Sequence, residues 1–440
     1  MSEEELSRGP NQSGGPSTEG SWRVVAAKTD GATPGLEIVD ARGDRYVVKF
    51  DPPGHVELMS GAEVISTKIL FALGYHVPEN YPVRFRRDRL VAGIDAGLDA
   101  DSGDGVVTEA HIDDVLRSSA RYEDGSYRAL ASKVLGGKPI GPFSYYGTRP
   151  DDGNDILPHE ARRELRGLRV AAAWINHTDA RTINTLDVVV VEDDRQFVRH
   201  YLIDFGSTLG AAPHGPRRLW DGFEYMIDAR AILRRVLTLG VAGLGWAAID
   251  YPTIDAVGHF DAEHFYPLDW RTQSPNPAFV RCDAADAFWA AKQIASFSDD
   301  AVRSIVKSAG YSSQATEARV AQVLIDRRDA IVRAYLSFGG GLDRFAVESG
   351  VLSFEDLAAR HGLSEPGRMR HVIWRSFDNE SGEAGAIIRA DPFTGTSVVI
   401  PRADAGFLLA EIRTPGVGAT SVVLRSEEDR SVAGVERRAL

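Results

Sequence analysis

Cysteine is almost absent: Cys282 is the only one among 440 residues, so no disulfide can form within the chain. That excludes a disulfide-stapled secreted scaffold. Together with the lack of an apolar, signal-like stretch near the N-terminus, it sets the expectation of a cytoplasmic protein. Long hydrophobic runs are missing too. The longest uncharged run, Val236 to Ile249, is broken by Gly240, Gly243 and Gly245 and is too short to cross a bilayer, so no membrane partner is expected. Positive charge is in deficit, with 50 Lys and Arg against 63 Asp and Glu and a net charge of −13. A general nucleic-acid binder would want a basic face, so that partner class is disfavoured. What is present is ordinary for a globular protein, 43% hydrophobic and 26% charged, with length enough for about two to three domains.

Residues 1–21 are Ser-, Gly-, Glu- and Pro-rich, and apart from Met1 their one large apolar residue is Leu6. They bury too little to offset ordering entropy, which predicts a disordered tail. From Trp22 the pattern is short strands: Trp22–Ala27, Leu36–Val39 and Tyr46–Phe50 form an antiparallel meander, with Tyr46, Val48 and Phe50 on one face and Val47 and Lys49 on the other. Ser60 to Gly74 repeats Ile65, Ile69 and Leu73 at helical spacing and ends at a glycine. Tyr127 to Tyr146 reads as a crossover between two lobes, and His159 to Asn176 as an amphipathic helix. Residues 222–345 read as mainly helical. From about residue 370 the texture turns to short strands. The expected class is therefore α+β: a first lobe at 22–126, a second at 127–345 and a linker with a small β module at 346–440.

The chemistry is concentrated between His177 and Gly206. Asp179 and Asn184 make D-x-x-x-x-N. The apolar stretches Leu186–Val191 and His200–Ile203 follow, joined through the turn residues Glu192–Arg195, and Asp204-Phe205-Gly206 closes the stretch. A hairpin returns its ends to one edge, so Asp179 and Asp204 are expected close in space. Transfer of a phosphoryl group needs a carboxylate to orient and deprotonate a hydroxyl, and an amide and a second carboxylate to hold magnesium. Asp179, Asn184 and Asp204 fit those tasks in that order. Lys49, on a half-buried strand, would be stabilised by a phosphate. Glu63 has two readings: an ion pair with Lys49, or a capping box with Ser60. Gly31 and Gly35 could let backbone amides approach phosphates, although the loop lacks G-x-G-x-x-G and an ordinary hairpin connection serves as well. His177 reads as a packed structural histidine.

The segments Tyr46-Val-Val-Lys-Phe-Asp51 with Glu63, Ala72-Leu-Gly-Tyr-His-Val-Pro78, His177-Thr-Asp179 through Asn184, and Ile203-Asp-Phe-Gly206 resemble the atypical kinases of the HipA type and, more distantly, the phosphatidylinositol kinases. The resemblance covers about residues 22–340 and leaves the β tail unexplained. It implies a two-lobed kinase fold, ATP and Mg2+ as cofactors, and phosphate transfer to a hydroxyl, most simply Ser or Thr of a protein, with a small-molecule hydroxyl as the alternative acceptor. Lys49 would hold the ATP phosphates, Asp179 would be the base, and Asn184 and Asp204 would bind metal. The chain departs from ordinary protein kinases in having His-Thr-Asp for His-Arg-Asp and no Ala-Pro-Glu after D-F-G. Three rivals share the residues: an AMP-transferring enzyme on the same fold, a pseudokinase that binds partners, and a metallohydrolase built on His177, Asp179, His200 and Asp204.

Overall fold

The computed structural model describes residues 1–28, 34–98, 106–239, 245–425 and 431–439. The chain forms two compact units, Met1–Arg281 with Phe297–Arg327, and Cys282–Ser296 with Arg328–Leu440.

The first unit opens with a helix, α1 (Glu3–Arg8), where a disordered tail was expected. Ser2 and Glu5 cap it reciprocally and Leu6 is buried. The residues after it are held by polar contacts: the Ser13 amide and hydroxyl donate to the Glu79 carboxylate, the Ser17 amide donates to Asp40, and Lys68 donates to the Ser7 carbonyl. Composition missed this because the segment is ordered by hydrogen bonds to distant residues and by little apolar burial.

Next comes a sheet. Strands β1 (Trp22–Lys28), β2 (Gly35–Val39) and β3 (Arg45–Phe50) are followed by helix α2 (Leu58–Ala72), then β4 (Asn80–Phe85), β5 (Leu90–Leu98), α3 (Glu109–Arg117) and β6 (Tyr127–Lys133). The strand order is β4-β6-β3-β2-β1-β5. The expected meander is there, β1 to β2 to β3 antiparallel, with β5 running parallel to β1. Tyr46, Val48 and Phe50 point into a core with Trp22, Val24, Ile38 and Ile112, so Lys49 is turned to the opposite face of β3. Thr108, which starts α3 through a capping exchange with His111, gives that helix a local signal that periodicity alone did not reveal.

After β6 a two-residue strand, β7 (Lys138–Pro139), pairs with β8 (Thr185–Glu192), which pairs along its whole length with β9 (Arg195–Leu202). The turn between them is Asp193-Asp194, both left-handed, with φ of 48° and 60°, the conformation a two-residue hairpin turn requires. Helix α4 (Arg163–Trp174) precedes this hairpin. After it come the short pair β10 (Ala211–Ala212) and β11 (Gly215–Pro216), then α5 (Ala229–Leu237) and α6 (Pro277–Val280). The stretch from 222 to 276 was expected to be mainly helical. Among the described residues it holds only α5 and a 3-10 turn at Gly245–Ala248, and it is pinned instead by side-chain contacts such as Trp270 Nε1 to Asn176 Oδ1 at 2.8 Å.

Within the second unit lies α7 (Ala284–Ile294). Helices α8 (Asp299–Lys307) and α9 (Gln314–Tyr335) follow, α8 capped by Ser298 as its sequence indicates. The last residues of α9, from Arg328, belong to the second unit. That unit continues with two sheets. Strands β12 (Leu342–Glu348), β13 (Val351–Asp356), β14 (Arg370–Asp378), β15 (Glu383–Phe393), β16 (Ser397–Val399), β17 (Phe407–Thr414), β18 (Gly418–Arg425) and β19 (Val432–Ala439) pair as β12-β13-β16 and β15-β14-β17-β18-β19. Their shared core includes Leu342, Phe354, Trp374, Leu408 and Leu424. Strands thus begin at Leu342, at the end of the expected helical lobe and through the expected linker, whereas the β texture was expected only from about residue 370.

Candidate active site

Lys49 leaves β3 on the side away from the core. Its Nζ lies 3.0 Å from Glu63 Oε1, 3.3 Å from Glu63 Oε2 and 3.0 Å from Asp204 Oδ1. Of the two readings of Glu63, the structure shows the ion pair. Helix α2 begins at Leu58, not Ser60, and its start is capped from outside by Asp51, which accepts from the Glu57 amide, the Ser60 amide and the Ser60 hydroxyl. Ser60 therefore sits inside the helix and Glu63 is free to turn toward the strand. The same helix end is clamped twice more. Arg128 donates to the Ser60 hydroxyl and to the carbonyls of Ala309 and Gly310, and Glu57 accepts from the Tyr122 hydroxyl and from the amide and hydroxyl of Ser312.

The second half of the site hangs from α4. The helix runs out at Ile175, Asn176 takes a left-handed φ of 50°, and His177-Thr178-Asp179 follow as an irregular turn. The Asn184 Nδ2 group donates to the Asp179 carbonyl at 2.7 Å and to its Oδ2 at 3.1 Å. Asn184 thus spends its NH2 on Asp179 and keeps its amide oxygen as an acceptor. At the open end of the hairpin Thr185 pairs with Leu202, and the Ile203 amide donates to the Asn184 carbonyl at 3.0 Å. One residue further, Asp204 adopts φ 63°, which swings its carboxylate off the strand direction to Lys49. A non-glycine residue in this region carries roughly 1 kcal/mol of strain. Gly206 is closely approached: a Cβ there would stand 3.0 Å from Met59 Cε and 3.2 Å from Glu63 Oε2, so a larger residue would have to displace the Glu63 head group or the Met59 tip. The structure thus brings Lys49, Glu63 and Asp204 into contact, and separately Asp179 with Asn184, at the two ends of one hairpin edge. Gly35 is the first residue of β2, directly opposite Lys49 in register, and Gly31 lies outside the described residues.

Charges are arranged accordingly. Burial alone would push the Lys49 ammonium down, but Asp204 and Glu63 outweigh it and hold the group above the ordinary lysine value, so it stays cationic. His177 is buried, its ring edge-on to Phe205 with centroids 5.7 Å apart, and burial drives its pKa down to about 4. It is neutral at pH 7, in keeping with the structural role read for it. Asp204, by contrast, is half exposed, its carboxylate open to solvent on one side. Among the described residues no three His, Cys, Asp or Glu side chains converge as a metal cage, and His200, a member of the metallohydrolase alternative, is paired with Asp187 and packed on Phe143.

One functional candidate escaped the sequence reading. Arg217 follows β11, is 4% exposed, and donates to the Thr178 hydroxyl beside Asp179 and to the carbonyls of Ser207 and Ala211. No spacing rule reveals such a residue, because most of its partners are main-chain atoms.

Neither a protein-family model nor a curated protein sequence matches the chain. Among solved structures, similarity is found to a Helicobacter pylori proinflammatory kinase, CtkA, at 13% identity and a TM-score of 0.35, over 69% of this chain and 94% of that one. The golgi casein kinase matches at 9% identity and 0.30, over 71% and 74%, and its form with Mn/ADP bound at 9% and 0.28, over 72% and 74%. All three are kinases, but at these scores the likeness carries no weight, and the assignment of the site stands on its own geometry.

Proposed function

We propose that this protein is a kinase of atypical type that transfers a phosphoryl group from ATP to a hydroxyl, with Ser or Thr of a protein as the acceptor class. The observation that carries the reading is the convergence on Lys49. A strand lysine and a helix glutamate 14 residues apart meet an aspartate 155 residues beyond the lysine, and the hairpin that delivers this aspartate also delivers the Asp179–Asn184 pair. A kinase-type division, sheet-bearing lobe before the β6–β7 crossover and hairpin-bearing lobe after it, belongs to the same proposal.

The donor set fits a hard divalent cation. Asp204 offers an accessible carboxylate and Asn184 an amide oxygen left over after its NH2 has been used, and magnesium takes few protein oxygens and completes its shell with phosphates and water. Bound there, the metal would neutralise charge on the transferring group. Lys49 holds a cation where α- and β-phosphates would lie, and Glu63 fixes its head group. Asp179, oriented by Asn184, accepts the hydroxyl proton as the acceptor oxygen bonds to the γ-phosphorus and the bond from that phosphorus to the β–γ bridging oxygen breaks, releasing ADP. ATP turnover and autophosphorylation of the wild type against Asp179→Ala and Asp204→Ala test the assignment. Both variants should lose roughly 10²-fold or more, and full activity in both would reject it. The mass added to the acceptor separates a phosphate from a nucleotidyl adduct.

A further inference from the structure

Arg217 stands where an ordinary protein kinase would need help. The His-Arg-Asp motif places an arginine next to the base, and in such kinases the segment after D-F-G is ordered by phosphorylation through new arginine–phosphate pairs. Here the middle residue is Thr178, which is fully buried. Its hydroxyl accepts from Arg217 Nη1, and Arg217 Nε donates to the carbonyls of Ser207 at 3.1 Å and Ala211 at 2.9 Å. The Arg217 amide donates to the Gly210 carbonyl at 2.7 Å, and its own carbonyl is met by His259. Asp221 Oδ2 is 3.7 Å from Nη1. One buried guanidinium thus joins the turn that carries Asp179 to the segment that begins with Asp204. Its charge acts on Asp179, Asp221, Arg181 and His177, and Asp179 is itself ion-paired with Arg181.

We propose, resting on the kinase reading, that Arg217 is a positioning residue that fixes the base-bearing turn to the metal-bearing segment and holds the segment after Asp204 in place without an added phosphate. The guanidinium fork is matched to two carbonyls and one hydroxyl at once, which a lysine ammonium on a flexible stem cannot reproduce. The acceptors around it are already in place, so no incoming phosphate is needed to complete the set.

The test is steady-state ATP turnover, with kcat and KM for ATP determined separately, in full-length Arg217→Met, Arg217→Lys and Thr178→Val, with Asp179→Ala and Asp204→Ala alongside and with wild type assayed before and after phosphatase treatment. Expected for Arg217→Met is a kcat at least about tenfold lower with KM for ATP within about twofold of wild type, because the lost contacts position the base-bearing turn and not the nucleotide. Arg217→Lys and Thr178→Val should show the same split, each losing kcat with KM little changed. Phosphatase treatment should leave wild-type turnover unchanged. Should Arg217→Met fail to fold, Arg217→Lys and Thr178→Val decide. Wild-type kcat in those two, a KM for ATP that rises in step with the fall of kcat in folded Arg217→Met, or loss of wild-type turnover on phosphatase treatment overturns the role of Arg217. Turnover that survives in Asp179→Ala and Asp204→Ala instead overturns the kinase reading beneath it.

Discussion

At the scale of single residues the site is a set of charges that only make sense together. Glu63 is 2% exposed, and an isolated carboxylate at that depth would be costly. Lys49 satisfies it, and Lys49 in turn is shared with Asp204. His177 is the reverse case, a titratable group kept neutral. Its pKa is pushed from the ordinary 6.5 down to about 4 by burial, with Asp179 and Asp204 opposing the shift. The folded protein therefore refuses a proton that the unfolded chain accepts. Above the unfolded value neither state is protonated and nothing is lost. As pH falls from about 6.5 to about 4 the unfolded state gains the proton first, and stability drops by about 3 kcal/mol in total. His177→Phe keeps the edge-on ring packing against Phe205 and cannot titrate. Denaturant titrations of wild type and this variant between pH 7.5 and 4 should diverge by that amount, the variant losing less. Parallel curves would show that the imidazole is solvated in the native state.

At the scale of elements the hairpin is the part of the site most legible from sequence. Its two strands are apolar, the turn residues are acidic and short, and the functional residues sit just outside both ends. The turn itself is strained by composition: Asp193 and Asp194 both hold positive φ, where Asn and Gly are favoured. Asp193→Asn with Asp194→Gly should stabilise the protein by about 0.5–1 kcal/mol without changing turnover, since the turn is at the far end of the strands from Asp204. Asp194→Pro, which forces φ near −65°, should destabilise it and depress turnover through the hairpin. Thermal unfolding paired with an ATP assay checks both, and equal melting points for all three proteins would contradict the register. Helix α2 was harder to read. Ser60-Gly-Ala-Glu63 matches a capping box, and nothing local says that Asp51, outside the helix, has taken over the cap. The start of a helix buried on nearly all sides is decided by long-range contacts such as Glu57 to Ser312, which a window along the sequence does not contain.

At the scale of the whole chain, composition separated a β-rich C-terminal part from the rest, but it could not see that this part is discontinuous. The second unit borrows α7 from residues 282–296, and its strands are locked to the glycines that precede β12. Lys292 donates to Asp343 at 2.6 Å, Arg437 donates to the same carboxylate at 2.7 Å, and Arg437 lies over the Phe288 ring at 4.0 Å. The Thr420 hydroxyl donates to the Gly339 carbonyl, and the Leu357 amide to the Gly341 carbonyl. A fragment cut at residue 346, where the expected linker begins, would sever β12 in its middle, remove fully buried Leu342 from the core and leave Arg437, 8% exposed at its side chain, without the Asp343 carboxylate. Losing one buried leucine side chain costs about 2–5 kcal/mol, and the stranded guanidinium adds about 3–5 kcal/mol, which together approach the whole stability of a small domain. The fragment 346–440 should therefore show no cooperative thermal transition by circular dichroism, whereas 282–440, which restores α7, the glycines and all of β12, should show one. A sharp transition in the shorter fragment would mean that the sheets stand without the helix and that the boundary read from composition was the physical one.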